Sequence, residues 1–134
     1  IYKSQLKRGQ NIMAVVKADA YGHGDKEVAL ALQEEGCHNF AVSCLSEAVS
    51  IRSAGIRGQI LILGYTSPAY AEQLLEYDIT QAVYSDDYAR ALKKTGYKGE
   101  VLLGCIEVDE KAAVYERPCI IFPLHGSGHI LSVG

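Results

Sequence analysis

Asn11-Ile12-Met13-Ala14-Val15-Val16-Lys17-Ala18-Asp19-Ala20-Tyr21-Gly22-His23-Gly24 is the stretch on which the reading of the fold turns. An uninterrupted apolar run, Ile12 to Val16, ends at a lysine, and a glycine-bearing segment follows. A continuous apolar run of this length suits a strand buried on both faces, as in a parallel sheet. Strand period two puts Met13, Val15 and Lys17 on one face.

Three further apolar runs follow the first. They are Phe40-Ala41-Val42, closing at Cys44, then Ile60-Leu61-Ile62-Leu63, ending at Gly64, and a weaker Ile79–Tyr84. Helical patterns fill the gaps. Asp25–Glu35 puts Val28, Ala31 and Leu32 on one side, and Gly36 can supply a left-handed C-terminal cap. Ser46–Ala54 follows, ending at Gly55. Ser67-Pro68 marks a helix start, a serine cap before a proline at the first helical position. That helix carries Ala71, Leu74 and Leu75 at i, i+3 and i+4. Ser85 caps the next, with Asp86 and Asp87 in the first turn and Tyr88, Ala91 and Leu92 on its apolar side.

The order is therefore β-α-β-α-β-α-β-α. Either an open doubly wound sheet or a β/α barrel has this order, and spacing alone does not separate them. A complete eightfold barrel takes about 200 residues or more. The 134 residues hold at most about half of one. Glu100–Val108 reads as a fifth strand. Beyond it Arg117-Pro118 and Phe122-Pro123 interrupt, and His125–His129 is loop-like.

Composition is ordinary for a globular protein, 49% apolar and 22% charged. The net charge of -3 offers no basic cluster for nucleic acid or an anionic membrane. No signal peptide is visible, and apolar runs of five or six residues fall far short of a membrane span. The cysteines are Cys37, Cys44, Cys105 and Cys119. They lack zinc-type spacing and read as structural, Cys44 as a small core residue, so no metal is expected. A reducing cytoplasm fits them.

Lys17 is the residue with the clearest chemical use. At the C-terminal end of a barrel strand, facing inward, it would lie where barrel active sites lie. Desolvation lowers a lysine pKa, and the neutral amine can form a Schiff base with an aldehyde. A strand-end lysine that snorkels to water has the same spacing. Tyr21 can donate to a phosphate oxygen, and Gly22 and Gly24 let backbone approach a ligand, although a plain βα turn reads the same way. His23 reads as a loop residue. Glu47 and Arg52 read as a charged helix face. Tyr65 follows the third strand at the same end as Lys17. The His125–His129 pair has no matching third metal ligand nearby.

Met13–Gly24 resembles the pyridoxal-phosphate (PLP) attachment signature of the alanine racemases. Supporting similarity follows in register: Phe40-Ala41-Val42 with Glu47-Ala48, Arg52 and Gly55-Ile56, then Ile60–Pro68. Tyr77-Asp78-Ile79-Thr80 is similar to the branch containing the serine/alanine racemases of glycopeptide resistance. The resemblance covers roughly residues 1–98. It implies a partial TIM-type (β/α) barrel of about four βα units, from an N-terminal domain that precedes a mostly β domain. It implies a homodimer whose active sites are each completed by the partner subunit. By resemblance Lys17 bonds the PLP cofactor and is one of two bases, Tyr21 contacts its phosphate, and Leu63 lies beside it. Single-domain PLP-homeostasis proteins share the barrel and the first-strand lysine, but the longer match at Met13–Gly24 favours the racemases.

After Glu100 the family pattern Lys-x-Asp-Thr-Gly-Met is missing, and the second catalytic tyrosine with it. Residues 99–134 thus read as a divergent tail on a truncated barrel. The expected function is interconversion of L- and D-alanine in the cytoplasm, supplying D-alanine for cell wall. The alternatives are a non-catalytic fragment and a serine racemase of the resistance type.

Overall fold

The computed structural model describes residues 4, 6, 11–103 and 120–123. Six strands form one sheet in chain order: β1 (Met13–Val15), β2 (Asn39–Val42), β3 (Gln59–Ile62), β4 (Thr80–Val83), β5 (Glu100–Leu103) and β6 (Ile120–Pro123). β1 to β5 are mutually parallel. β6 pairs antiparallel with β5. Between the parallel strands lie α1 (Lys17–Gly22), α2 (Asp25–Glu34), α3 (Leu45–Ser53), α4 (Ala71–Glu76) and α5 (Asp86–Lys94).

The two faces of the sheet differ. Phe40, Val42, Ile60, Ile62, Val83 and Val101 pack with Ala29, Ala48, Ile51, Leu74 and Leu92 of the helices into the main core. The opposite face holds a separate cluster of Ala41, Leu61 and Ala82, flanked by Leu63 and Leu102. Sequential strand order with helices on one face is half of a β/α barrel. A doubly wound sheet would reverse direction and place helices on both faces. The helix-free face is the barrel interior, and at β1 it is open: Met13 is 38% and Val15 42% exposed.

The helix ends follow their sequence signals. The α2 C-terminus is closed by Gly36 at φ +79°, with Cys37 N–H donating to Leu32 O at 2.8 Å. Ser85 Oγ accepts from Tyr88 N–H at 3.3 Å. Ser67 Oγ accepts from Ala69 N–H, but Pro68–Tyr70 winds as a 3-10 turn before α4 begins. Within α4, Ala71 and Leu74 are buried and Leu75 is 44% exposed, against the i, i+4 expectation.

Two other expectations are corrected. Ile120–Pro123 is a strand and not an interruption; Pro123 ends it on the sheet edge, where a missing N–H costs no ladder bond. Cys44 is half-buried at the head of α3, its Sγ 3.1 Å from Ser46 Oγ, and Cys37 is the core thiol. Cys105, Cys119, His125, His129 and the fifth strand beyond Leu103 lie outside the described residues.

Candidate functional site

The end of β1 is built by an unusual backbone. Ala18, Asp19, Ala20 and Tyr21 all have φ between +50° and +57°, so α1 is a left-handed turn. L-residues disfavour that hand by roughly 1–2 kcal/mol each, and successive non-glycine residues rarely adopt it. Strain of this kind persists only where surrounding structure imposes it, and it clusters at functional sites. Here Ala20 N–H donates to Val16 O at 3.0 Å, and Gly24 N–H donates to Asp19 O at 3.0 Å. Asp19 Oδ1 accepts from Asp25 N–H at 3.0 Å, tying the turn to the start of α2. His23 Nδ1 lies 3.0 Å from Ala20 O, a loop contact as its sequence setting suggested.

Lys17 opens this turn and is half-buried, two residues beyond the last residue of β1. Strand register fixes its neighbours. Val15 pairs with Ala41, and Ala41 with Leu61. Lys17, Ser43 and Leu63 lie just beyond the C-terminal ends of β1, β2 and β3. β1 and β3 are two strands apart, roughly 10 Å. Leu63 N–H continues the ladder to Val42 O at 2.8 Å, and its side chain joins the interior cluster. Tyr21, 61% exposed, stands at the end of the left-handed turn. Tyr65 is 70% exposed and stacks on Tyr88, ring centroids 4.9 Å apart.

Three residues read as surface or strand-end positions in the sequence prove to shape the site. Glu47 turns back from α3 to accept from Ala18 N–H (2.9 Å), Ser43 N–H (2.8 Å) and Ser43 Oγ (2.7 Å). Burial pushes its carboxyl up, but the hydrogen bonds from Ser43, Ala18 and Cys44 outweigh this and hold it below the ordinary carboxylate range. Tyr84 donates its hydroxyl to Leu63 O at 2.7 Å, bracing that residue from the β4 side. Gly64 allows the ends of β2 and β3 to close up, because a Cβ there would collide with the Ser43 carbonyl oxygen.

Arg52, at the other end of α3, is no solvated face either. Its guanidinium donates to the carbonyls of Tyr77 (2.8 Å), Ile56 (2.7 Å), Gly58 (2.9 Å) and Asp78 (2.6 Å). These carbonyls precede β3 and β4, so the arginine ties the N-terminal ends of two strands. Burial lowers its pKa, partly offset by Asp78. Among the described residues, no group of three or more His, Cys, Asp or Glu gathers as a metal ion requires.

A sequential parallel sheet with its helices on one face is what the chain shares with known proteins. The model of the family described as alanine racemase, N-terminal domain, matches residues 1–111. The chain belongs to that family. Alanine racemase 1 of Caldanaerobacter subterraneus subsp. tengcongensis is 44% identical over 96 residues, covering 72% of this chain and 25% of that protein. A serine/alanine racemase of Enterococcus gallinarum is 46% identical over 83 residues, 62% of this chain and 12% of that one. The solved alanine racemase of Clostridium difficile 630, in complex with cycloserine, superposes with a TM-score of 0.70 at 37% identity. That match covers 75% of this chain and 28% of the other. The chain spans about a quarter of the length of the curated alanine racemases it matches. Among the described residues, no helix is long and apolar enough to cross a membrane.

Proposed function

We propose that this chain is the cofactor-bearing part of a PLP-dependent racemase that interconverts L- and D-alanine, with Lys17 as the lysine that bonds PLP. The observation that carries the reading is Lys17 itself. It is half-buried just beyond the C-terminal end of β1, the end of the sheet where barrel chemistry is done, and it opens a strained turn held from outside. The site fits the group. Lys17 Nζ would supply the amine, the Tyr21 hydroxyl would donate to the phosphate, and Leu63 would offer an apolar side chain at the same end of the sheet.

PLP, when bound, would supply an electron sink for the charge left by loss of the substrate α-proton. Lys17 Nζ would take or return that proton on one face of the α-carbon. A base for the opposite face, and the second subunit of a homodimer, belong to the whole racemase. Residues 1–98 would form the barrel portion and 99–134 a divergent tail. The setting would be the cytoplasm, and the product D-alanine for cell wall.

A direct test is incubation with PLP, borohydride reduction and peptide mass measurement. A pyridoxyl adduct on Lys17, absent in Lys17→Ala, is the expected result; wild-type protein without the adduct would refute the reading. The alternative reading is a non-catalytic fragment. Chiral chromatography of alanine after incubation separates the two, since measurable racemisation excludes the fragment. Repeating the incubation with serine tests the serine-racemase reading, to which the Enterococcus gallinarum relative points.

A further inference from the structure

Glu47 reaches two strand ends at once. The β1–β2 ladder runs up to Val16 N–H, which donates to Ala41 O at 2.9 Å. Beyond that rung the chain leaves β1 through the left-handed turn and leaves β2 toward α3. The next amides up, Ala18 and Ser43, meet the Glu47 carboxylate instead: Oε1 takes Ala18 N–H, and Oε2 takes both the amide and the hydroxyl of Ser43. The carboxylate stands where a further rung would be, one oxygen per strand end.

This matters for Lys17 because Ala18 is the first left-handed residue. The hand of the turn sets the direction in which the chain leaves β1, and with it the direction of the Lys17 side chain. Backbone in this region is held from outside and not by its own preference. Of the ties to the turn, the Val16 carbonyl and the Asp19 carboxylate belong to the same βα unit. Glu47 comes from the next unit and makes the turn's position depend on β2 and α3.

We propose that Glu47 is a positioning residue for Lys17, its carboxylate bridging Ala18 N–H and Ser43 so that the left-handed turn is locked and the lysine is aimed along the interior face. This rests on Lys17 being the cofactor lysine. Glu47 itself touches neither cofactor nor substrate; it acts through the backbone.

Two signals test it in the 134-residue chain. One is hydrogen exchange at the Ala18 amide. The other is the pyridoxyl label on Lys17 after PLP and borohydride, referenced to the label on exposed Lys94. Although Ala18 is an exposed residue, its amide should exchange at least tenfold slower than in an unstructured peptide. Exchange at the unstructured rate overturns the proposal, and that arm requires no variant to fold. In Glu47→Gln, with circular dichroism unchanged, Ala18 exchange should rise at least tenfold and the Lys17-to-Lys94 label ratio fall at least fivefold. Faster exchange with an undiminished ratio would make Glu47 a structural tie only, and overturns the proposal. Wild-type protein that protects Ala18 but takes no label on Lys17 refutes the cofactor reading, and the positioning role with it.

Discussion

Replacing Arg52 by alanine should cost about 3 kcal/mol of folding stability. The guanidinium is 15% exposed and satisfies four carbonyls that come from two separate loops. The bond to Asp78 O lies at the surface and contributes little, because water replaces it. The bonds to Tyr77, Ile56 and Gly58 are part-buried. At about 1 kcal/mol net for each, discounted from the stronger range for charged donors because shielding is partial, they sum to about 3 kcal/mol. Arg52→Lys should lose about 2 kcal/mol, since a single ammonium cannot fork to carbonyls on both loops. Asp78→Asn should leave stability unchanged, because the ion pair is 4.0 Å long and the aspartate side chain is 98% exposed. Urea unfolding followed by circular dichroism measures all three, provided the slopes agree. A loss below about 1 kcal/mol for Arg52→Ala, or wild-type stability in Arg52→Lys, would refute the reasoning.

Leu74→Ala should destabilise by roughly 2–5 kcal/mol, whereas Leu75→Ala should stay within about 0.5 kcal/mol; equal losses by urea titration would place the α4 phase wrongly. Ser85→Ala should cost about 1 kcal/mol through loss of the α5 cap, read from the same unfolding curves. The Glu47 carboxyl is held low when folded, so its contribution is present above the ordinary carboxylate range and lost as pH falls through the lower folded value. The wild-type advantage over Glu47→Gln should therefore shrink on acidification. Tyr88 behaves oppositely: burial raises it to about 12. Stability should fall as pH rises from about 10 toward that value, less steeply in Tyr88→Phe, and equal alkaline slopes would count against it.

Much of the fold was legible because it is local. Apolar runs marked β1 to β4, and Ser67, Ser85 and Gly36 marked helix ends whose hydrogen bonds close within a few residues. Lys17 and Leu63 could be placed at strand ends, and they follow β1 and β3 of one parallel sheet. What escaped was long-range or conformational. One backbone partner of Glu47 lies 29 residues away, and one partner of Arg52 lies 25 away, so neither bond leaves a mark on helical periodicity. Both side chains look like solvated charges until neighbouring units fold against them. The left-handed turn escaped because Ala-Asp-Ala-Tyr carries no glycine to advertise it. Leu75 was misplaced because i, i+3 and i+4 span an arc of roughly 100° on a helix, and α4 buries only the Ala71 and Leu74 part of it.

The sense of the turn at Ala18–Tyr21 also limits what can be moved between proteins. Its intrinsic cost, summed over four residues, is roughly 4–8 kcal/mol, as large as the whole stability of many small domains. A peptide of residues 11–24 would relax to right-handed or extended forms, carrying the signature without its shape. Transplanting the lysine motif into another barrel would reproduce its letters only. The smallest graft that keeps the geometry runs from β1 through the first turn of α3, because that is where the opposing anchor arrives.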